Sequence, residues 1–166
     1  MSAALWTAVA AFLVGDSGDV RTTVNAEQTG LLVAGSVYAA REASGAAARK
    51  ANALPLAVEV ELLRRASRVV GIGFEEVDLV VGLSIRLRKK ATTPGATQLS
   101  VVESVARALA RRYSGATNLG ITVSGATFVR SAAEVTDLDV EPDEGELEAG
   151  LVTATLTFLE AQAANT

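Results

Sequence analysis

Apolar and polar residues alternate most regularly between positions 77 and 88. Six apolar residues occupy every second position there: Val77, Leu79, Val81, Leu83, Ile85 and Leu87. Because successive side chains of a β-strand point to opposite faces, this alternation predicts a strand with one buried face. Residues 57–65 alternate in the same way. The two segments predict an antiparallel pair over about 54–66 and 74–90.

Two other segments have the spacing of amphipathic helices. Apolar residues recur at helical intervals in Ala3–Val14, and the glycines at positions 15 and 18 predict its end. A second helix is predicted over Ser100–Tyr113. Ser100 followed three residues later by Glu103 forms a capping-box pattern, which predicts that Ser100 is the N-cap.

The remaining elements complete a single predicted domain over residues 1–166. A short strand is predicted near residues 31–38, and two more strands near 119–130 and 151–161. Residues 39–53 and 131–150 are predicted as long loops. This order predicts an α+β fold, with an antiparallel sheet of four or five strands and two helices packed on one face.

Composition narrows the possible functions. The chain contains no histidine and no cysteine. Serine–histidine and cysteine–histidine catalysis are therefore excluded, as are histidine- or thiolate-based zinc and haem sites. The sequence predicts no enzymatic activity, no cofactor and no metal site. A carboxylate-dependent enzyme remains an alternative.

Charge is distributed unevenly along the chain. Residues 41–130 contain 14 basic and 7 acidic residues, whereas residues 131–166 contain 9 acidic residues and no basic ones. Either unlike surfaces of neighbouring copies meet, or basic and acidic regions neutralise each other within one molecule. The predicted interface residues are Arg86, Arg88, Lys89, Lys90, Asp137, Asp139, Glu141, Asp143, Glu144, Glu146 and Glu148.

A calcium site is one interpretation of the acidic stretch. Its carboxylates match several ligand positions of an EF-hand loop, from Asp137 to Glu148. However, Pro142 occupies the position where that loop needs a glycine. A solvated loop or a contact between subunits is therefore the preferred interpretation.

Three other patterns have simpler structural explanations. Gly71 and Gly73 lack the further residues of a nucleotide-binding loop, so they predict a turn between two strands. Glu75 and Glu76 could supply the paired carboxylates of a glycoside hydrolase, but the sequence lacks the aromatic platforms of most sugar sites. The basic residues around Arg86 have no accompanying aromatic residues for stacking on nucleic acid bases, so an acidic protein surface is the preferred partner.

The order and size of these elements resemble those of tail terminator (tail completion) proteins of long-tailed bacteriophages. The resemblance rests on the apolar N-terminal helix, the long hairpin with the strand from Val77 to Leu87, the helix Ser100–Tyr113 and the two terminal strands. Residues 39–53 and 131–150 depart from that pattern. No short sequence motif contributes to the resemblance.

The resemblance implies a structural virion protein at the junction of tail and neck, assembled in the host cytoplasm. The resemblance implies a homo-oligomeric, hexameric ring that caps the tail tube, ends its polymerisation and joins it to a head–tail connector or stopper protein. DNA passes through the lumen, and no membrane is involved. Another neck component and a small cellular α+β ligand-binding domain are the alternatives.

Overall fold

The computed structural model describes residues 2–40, 46, 50, 54–88, 96–114, 122–123, 126–141 and 147–161. Its helices are α1 (Ser2–Leu13), α2 (Asp19–Glu27) and α3 (Ala96–Ser114). Its strands are β1 (Val37–Ala39), β2 (Leu56–Gly71), β3 (Phe74–Arg88), β4 (Thr122–Val123), β5 (Ala126–Glu141) and β6 (Leu147–Ala161).

The strands are arranged in the order β1-β2-β3-β6-β5-β4. The four long strands β2, β3, β6 and β5 are antiparallel to their neighbours, whereas the short β1 pairs in parallel with β2. The sheet is therefore mixed, with an antiparallel centre. The predicted α+β class is confirmed.

The hairpin of β2 and β3 follows from the sequence alternation. Its register pairs Leu56 with Leu87 at the base and Gly71 with Phe74 at the tip. Ile72 and Gly73 form the turn, and Gly73 has a φ of +80°, a conformation that glycine adopts without steric cost. The prediction that these glycines mark a hairpin turn is confirmed.

One face of the sheet packs against the helices. The six apolar residues of β3 are almost fully buried there, together with four residues of β6: Val152, Ala154, Leu156 and Phe158. Leu5, Val9 and Leu13 of α1 belong to the same core, as do Val105 and Leu109 of α3. This packing explains why the period of two is so regular in β3, since every second residue must be apolar.

Helix α2 was not predicted. Only Val20 and Val24 of this helix are buried, so its apolar stripe is narrow. It packs beside α1 and α3. The loop that follows is held by Asn25, whose side chain accepts a hydrogen bond from the Leu32 amide (2.8 Å) and donates one to the Leu32 carbonyl (2.9 Å).

The prediction that Ser100 caps a helix was wrong, because α3 begins at Ala96 and Ser100 lies within it. The helix starts directly after the Pro94-Gly95 pair, which supplied the stronger boundary signal.

The predicted loop over 131–150 was also wrong for most of its length. Strand β5 continues to Glu141 and β6 begins at Leu147. The register pairs Asp137 with Thr153 and Glu141 with Ala149, so these acidic positions belong to the ladder. The predicted loop over 39–53 falls mostly outside the described residues.

Candidate assembly surface

The face of the sheet opposite the core is here called the open face. Its described side chains on β3 include Glu76, Asp78, Val80 and Ser84, which are partly exposed. The register places Thr153, Thr155 and Thr157 of β6 beside them. Helices α1, α2 and α3 contribute to the core on the other face of the sheet. The open face is mainly polar, although Tyr38 and Ala57, which the register puts on it, are almost fully buried.

Acidic residues outnumber basic ones on the open face. Directly paired residues of an antiparallel sheet share a face, so the register assigns four described acidic side chains to it: Glu59, Glu61, Glu76 and Asp78. Three described arginines share it: Arg64, Arg68 and Arg86. The described side chains of the open face therefore carry a small net negative charge.

Polar contacts join neighbouring strands across this face. An Arg86 guanidinium nitrogen lies 3.2 Å from Glu59 Oε2, and Arg68 Nε donates a hydrogen bond of 2.6 Å to Glu76 Oε1. The Thr157 hydroxyl donates a hydrogen bond of 2.6 Å to Asp78 Oδ1. These contacts bind β2 to β3 and β3 to β6.

The predicted interface residues converge at one end of the sheet. Arg88 of β3 is paired with Leu147 of β6, and Glu141 of β5 is paired with Ala149 two positions later. Arg86, Glu148 and Asp139 lie near the same end, whereas Asp137 is paired with Thr153, near the middle of β6. The other five predicted residues lie outside the described residues: Lys89, Lys90, Asp143, Glu144 and Glu146.

Several described arginines have partners outside the acidic stretch at 134–148. Besides the pairs of Arg86 and Arg68, Arg111 lies 2.7 Å from Glu27, and Arg112 lies 3.4 Å from Asp19. These two contacts join α3 to α2. Their acidic partners therefore come from the first half of the chain.

The calcium-loop geometry is excluded for the described part of the acidic stretch. Asp137, Asp139 and Glu141 lie in the extended strand β5, whereas an EF-hand needs them in a tightly turned loop between helices. Among the described residues, no group of three or more acidic side chains is arranged to hold a metal ion.

Sequence reasoning missed an exposed apolar surface at the tip of the hairpin. Ile72 is fully exposed and Val69 is 71% exposed, while Leu63, Val70 and Phe74 are about half exposed. The sequence did contain a signal, because the apolar residues in 69–74 fall on both faces of the predicted strands and do not occupy only every second position. Exposed apolar clusters of this kind are typical of contact surfaces.

Both outer strands of the long antiparallel set have largely unpaired edges. Strand β1 pairs with β2 only at Val58–Val60, so no described strand pairs with the outer edge of β2 from Glu61 to Gly71. Strand β4 pairs with β5 only at Ala126 and Thr127, so the described chain leaves its edge from Phe128 to Glu141 unpaired.

A pocket of about 390 Å³ lies between α1 and the sheet. Its lining is mostly apolar and consists of Trp6, Ala39, Ala40, Val60, Glu61 and Leu62. Near it, Tyr38 is buried beside Glu59. Burial raises the pKa of Tyr38, the adjacent Glu59 raises it further, and the Arg86 guanidinium lowers it.

No family model matches the chain, and no curated protein matches it in sequence. Of the helices that the structure describes, none combines the length and the apolar content that are needed to cross a lipid bilayer.

Proposed function

We propose that this chain is a structural virion protein that resembles a phage tail terminator. In this role, copies of the chain form a ring that caps the tail tube, ends its polymerisation and joins it to the head connector. The partners are further copies of the chain, the tail tube protein and a connector or stopper protein. DNA passes through the ring without being bound.

The open face is the observation that carries this proposal. Helices α1 to α3 contribute to the core on the other side of the sheet, and the described acidic side chains of the open face outnumber the basic ones by four to three. A surface lining a DNA channel must avoid strong attraction to phosphates, since each basic contact adds affinity for the DNA backbone. An acidic sheet face turned towards a lumen meets that requirement.

The mass of the purified chain tests the ring. Light scattering on a concentrated sample is expected to give a particle near six times the chain mass of 17.1 kDa. Negative-stain electron microscopy is expected to show a closed ring with a central channel. Open filaments, or compact particles without a channel, would contradict the terminator proposal.

The capping function needs a second test with the tube protein. A phage tail tube protein is allowed to polymerise alone and with the purified chain. The chain is expected to shorten the tubes and to label one end of each. Tubes of unchanged length with no end-bound chain would contradict the proposal, whatever the mass of the particle.

The pocket favours a second candidate, a small ligand-binding domain. It has a mostly apolar lining that includes Trp6, and one carboxylate at its margin, Glu61. Pockets of this size hold small ligands of mainly apolar character. The chain's single tryptophan makes binding visible as a change in fluorescence.

Native mass spectrometry of the chain purified from its source distinguishes the two candidates. A bound small molecule in stoichiometric amount, lost when Val60 is replaced by tryptophan to fill the pocket, supports ligand binding. A ligand-free ring supports the terminator.

A further inference from the structure

The two unpaired strand edges lie on opposite sides of the sheet. One is the outer edge of β2 from Glu61 to Gly71, here called the β2 edge. The other is the outer edge of β5 from Phe128 to Glu141, here called the β5 edge. We propose that the β2 edge of one copy pairs with the β5 edge of the next, which joins their sheets into one continuous sheet. This inference rests on the proposed ring and names the strands that build it.

The two edges carry opposite charge. Residues 61–71 contain three arginines and one glutamate, a net charge of +2. Residues 128–141 contain one arginine and four carboxylates, a net charge of −3. Unlike edges therefore attract, whereas two β2 edges or two β5 edges repel each other.

Arg64 and Arg65 lie on the two faces of this edge, since Arg64 is paired with Val80 and Arg65 with Leu79. Both are exposed, and neither forms a hydrogen bond or an ion pair with the described part of the chain. Arg68, by contrast, already pairs with Glu76. An incoming acidic strand would therefore meet Arg64 on the open face and Arg65 on the other face without having to break an existing ion pair.

The strand directions suit this pairing. Each of the four long strands runs opposite to its neighbour in the order β2, β3, β6 and β5, so β2 and β5 run in opposite directions. If copies are related by rotation about an axis along the strands, β5 of one copy and β2 of the next are antiparallel. Antiparallel ladders are the slightly more stable kind.

The register also places opposite charges at the same height. Arg64 is paired with Val80, Val80 with Thr155, and Thr155 with Glu134. Positions 64 and 134 therefore lie at one level in the ladder, at opposite edges of the sheet. Copies arranged side by side without a rise bring these two positions to the same interface.

The charge pattern determines the symmetry of the assembly. A two-fold dimer needs a surface that pairs with itself, and each edge here repels its own kind. A contact between two different surfaces repeats from copy to copy and closes into a ring when the rotation permits. Contact along the β2 edge also shields its exposed apolar residues, including Leu63 and Val69.

Charge reversal on each edge tests the inference. One variant carries Arg64→Glu and Arg65→Glu, and the other carries Glu134→Lys and Asp137→Lys. Each is studied alone and in an equimolar mixture by light scattering, with circular dichroism to confirm folding. A matched control carries Arg107→Glu and Arg111→Glu, which change the same amount of charge on the exposed surface of α3.

Each edge variant alone is expected to associate at least about a hundredfold more weakly than the wild type, because like charges then face each other. The mixture is expected to assemble, since each variant supplies the complement of the other. The control is expected to assemble as the wild type does. Folded edge variants that assemble alone overturn the inference, as does a folded mixture that stays at 17.1 kDa.

These outcomes separate the inference from the proposed function. A wild-type ring that both charge reversals leave intact overturns the edge pairing and leaves the terminator proposal standing. Edge-dependent assembly into open filaments that do not cap tubes supports the pairing and overturns the terminator proposal. A wild-type chain that stays monomeric up to millimolar concentration contradicts the pairing.

Discussion

The two halves of β2 differ sharply although they form one continuous strand. In the first half, Leu56, Val58 and Val60 are almost fully buried, and β1 pairs with part of the outer edge. In the second half, from Glu61 to Gly71, no residue is fully buried, and Leu62 and Ala66 are partly buried. Both halves have the same partner, β3. Hydrogen bonding to a hairpin partner thus continues far beyond the region that the core supports.

The second half therefore has features that a lone molecule would be expected to avoid. An exposed strand edge with apolar side chains invites pairing with other chains, and natural proteins shield such edges or use them for contacts. Because the tip of the hairpin also exposes Ile72 and Phe74, the unshielded half is better explained as a contact surface. The first half stabilises the fold, and in the proposed assembly the second half contacts the next copy.

The largest expected contrast comes from matched leucine substitutions. Leu83 on β3 is 1% exposed, whereas Leu63 on β2 is 48% exposed. Leu83→Ala is expected to lower the free energy of unfolding by about 2–5 kcal/mol, because it leaves a cavity in the core. Leu63→Ala is expected to lower it by less than about 1 kcal/mol. Urea denaturation of both variants at a concentration that keeps them monomeric measures the difference, and equal losses would contradict the division.

A second contrast uses two valines of β2 itself. Val60 is fully buried and Val69 is 71% exposed. Val60→Ala is expected to cost about 2 kcal/mol of unfolding free energy, since two buried methyl groups are lost. Val69→Ala is expected to change it by less than about 0.5 kcal/mol and to weaken association instead. If Val69→Ala destabilised the monomer as much as Val60→Ala, the tip would be part of the core.

The hairpin turn allows a third, smaller contrast between two glycines. Gly73 has a φ of +80°, whereas Gly71 has no positive φ, and an added Cβ would meet nothing within 4 Å at either position. Gly73→Ala is expected to cost about 1–2 kcal/mol from backbone strain alone. Gly71→Ala is expected to be neutral or stabilising by up to about 1 kcal/mol. Thermal unfolding of the two variants measures the difference, and an equal cost for both would show that the turn is not under this constraint.

The smallest effect concerns Tyr38, which lies on β1 beside the buried half of β2. Its pKa is raised above the ordinary value of 10.0, first by burial and then by Glu59. A raised pKa stabilises the neutral form in the folded state, so this contribution is complete below pH 10 and is lost as the pH rises through the folded-state pKa. The free energy of unfolding of Tyr38→Phe should therefore fall less steeply with pH above pH 10 than that of the wild type. Identical pH profiles of unfolding free energy would contradict this assignment.

The elements that contact the core on one face were predictable from the sequence. In β3, burial on one face forces an apolar residue at every second position, and the alternation from Val77 to Leu87 follows directly. Helix α2 was missed because only Val20 and Val24 are buried. The sequence predicts a loop for the acidic half of β5, because carboxylates are uncommon in strands. The alternation of Leu138 and Val140 with Asp137, Asp139 and Glu141 was the opposing signal for a strand.

The candidate surface was less predictable. The sequence predicted interface residues in 86–90 and 137–148, and the fold brings their described members, except Asp137, near one end of the sheet. It did not predict the exposed hairpin tip or the unpaired edges. Whether a strand lies at an edge depends on the order of strands in the sheet, which no local pattern records.

Hydrogen exchange of the β2 segment is the most direct test of assembly through this surface. Deuterium uptake is measured by mass spectrometry for a peptide spanning residues 61–71, in the assembled wild type and in the Arg64→Glu/Arg65→Glu variant. If the edges pair, nearly all amides of residues 61–71 should exchange slowly in the assembly. In the variant, the amides that point away from β3 should exchange fast. Residues 56–60 should exchange slowly in both. Equally fast exchange of residues 61–71 in the assembled wild type and in the variant would contradict the account.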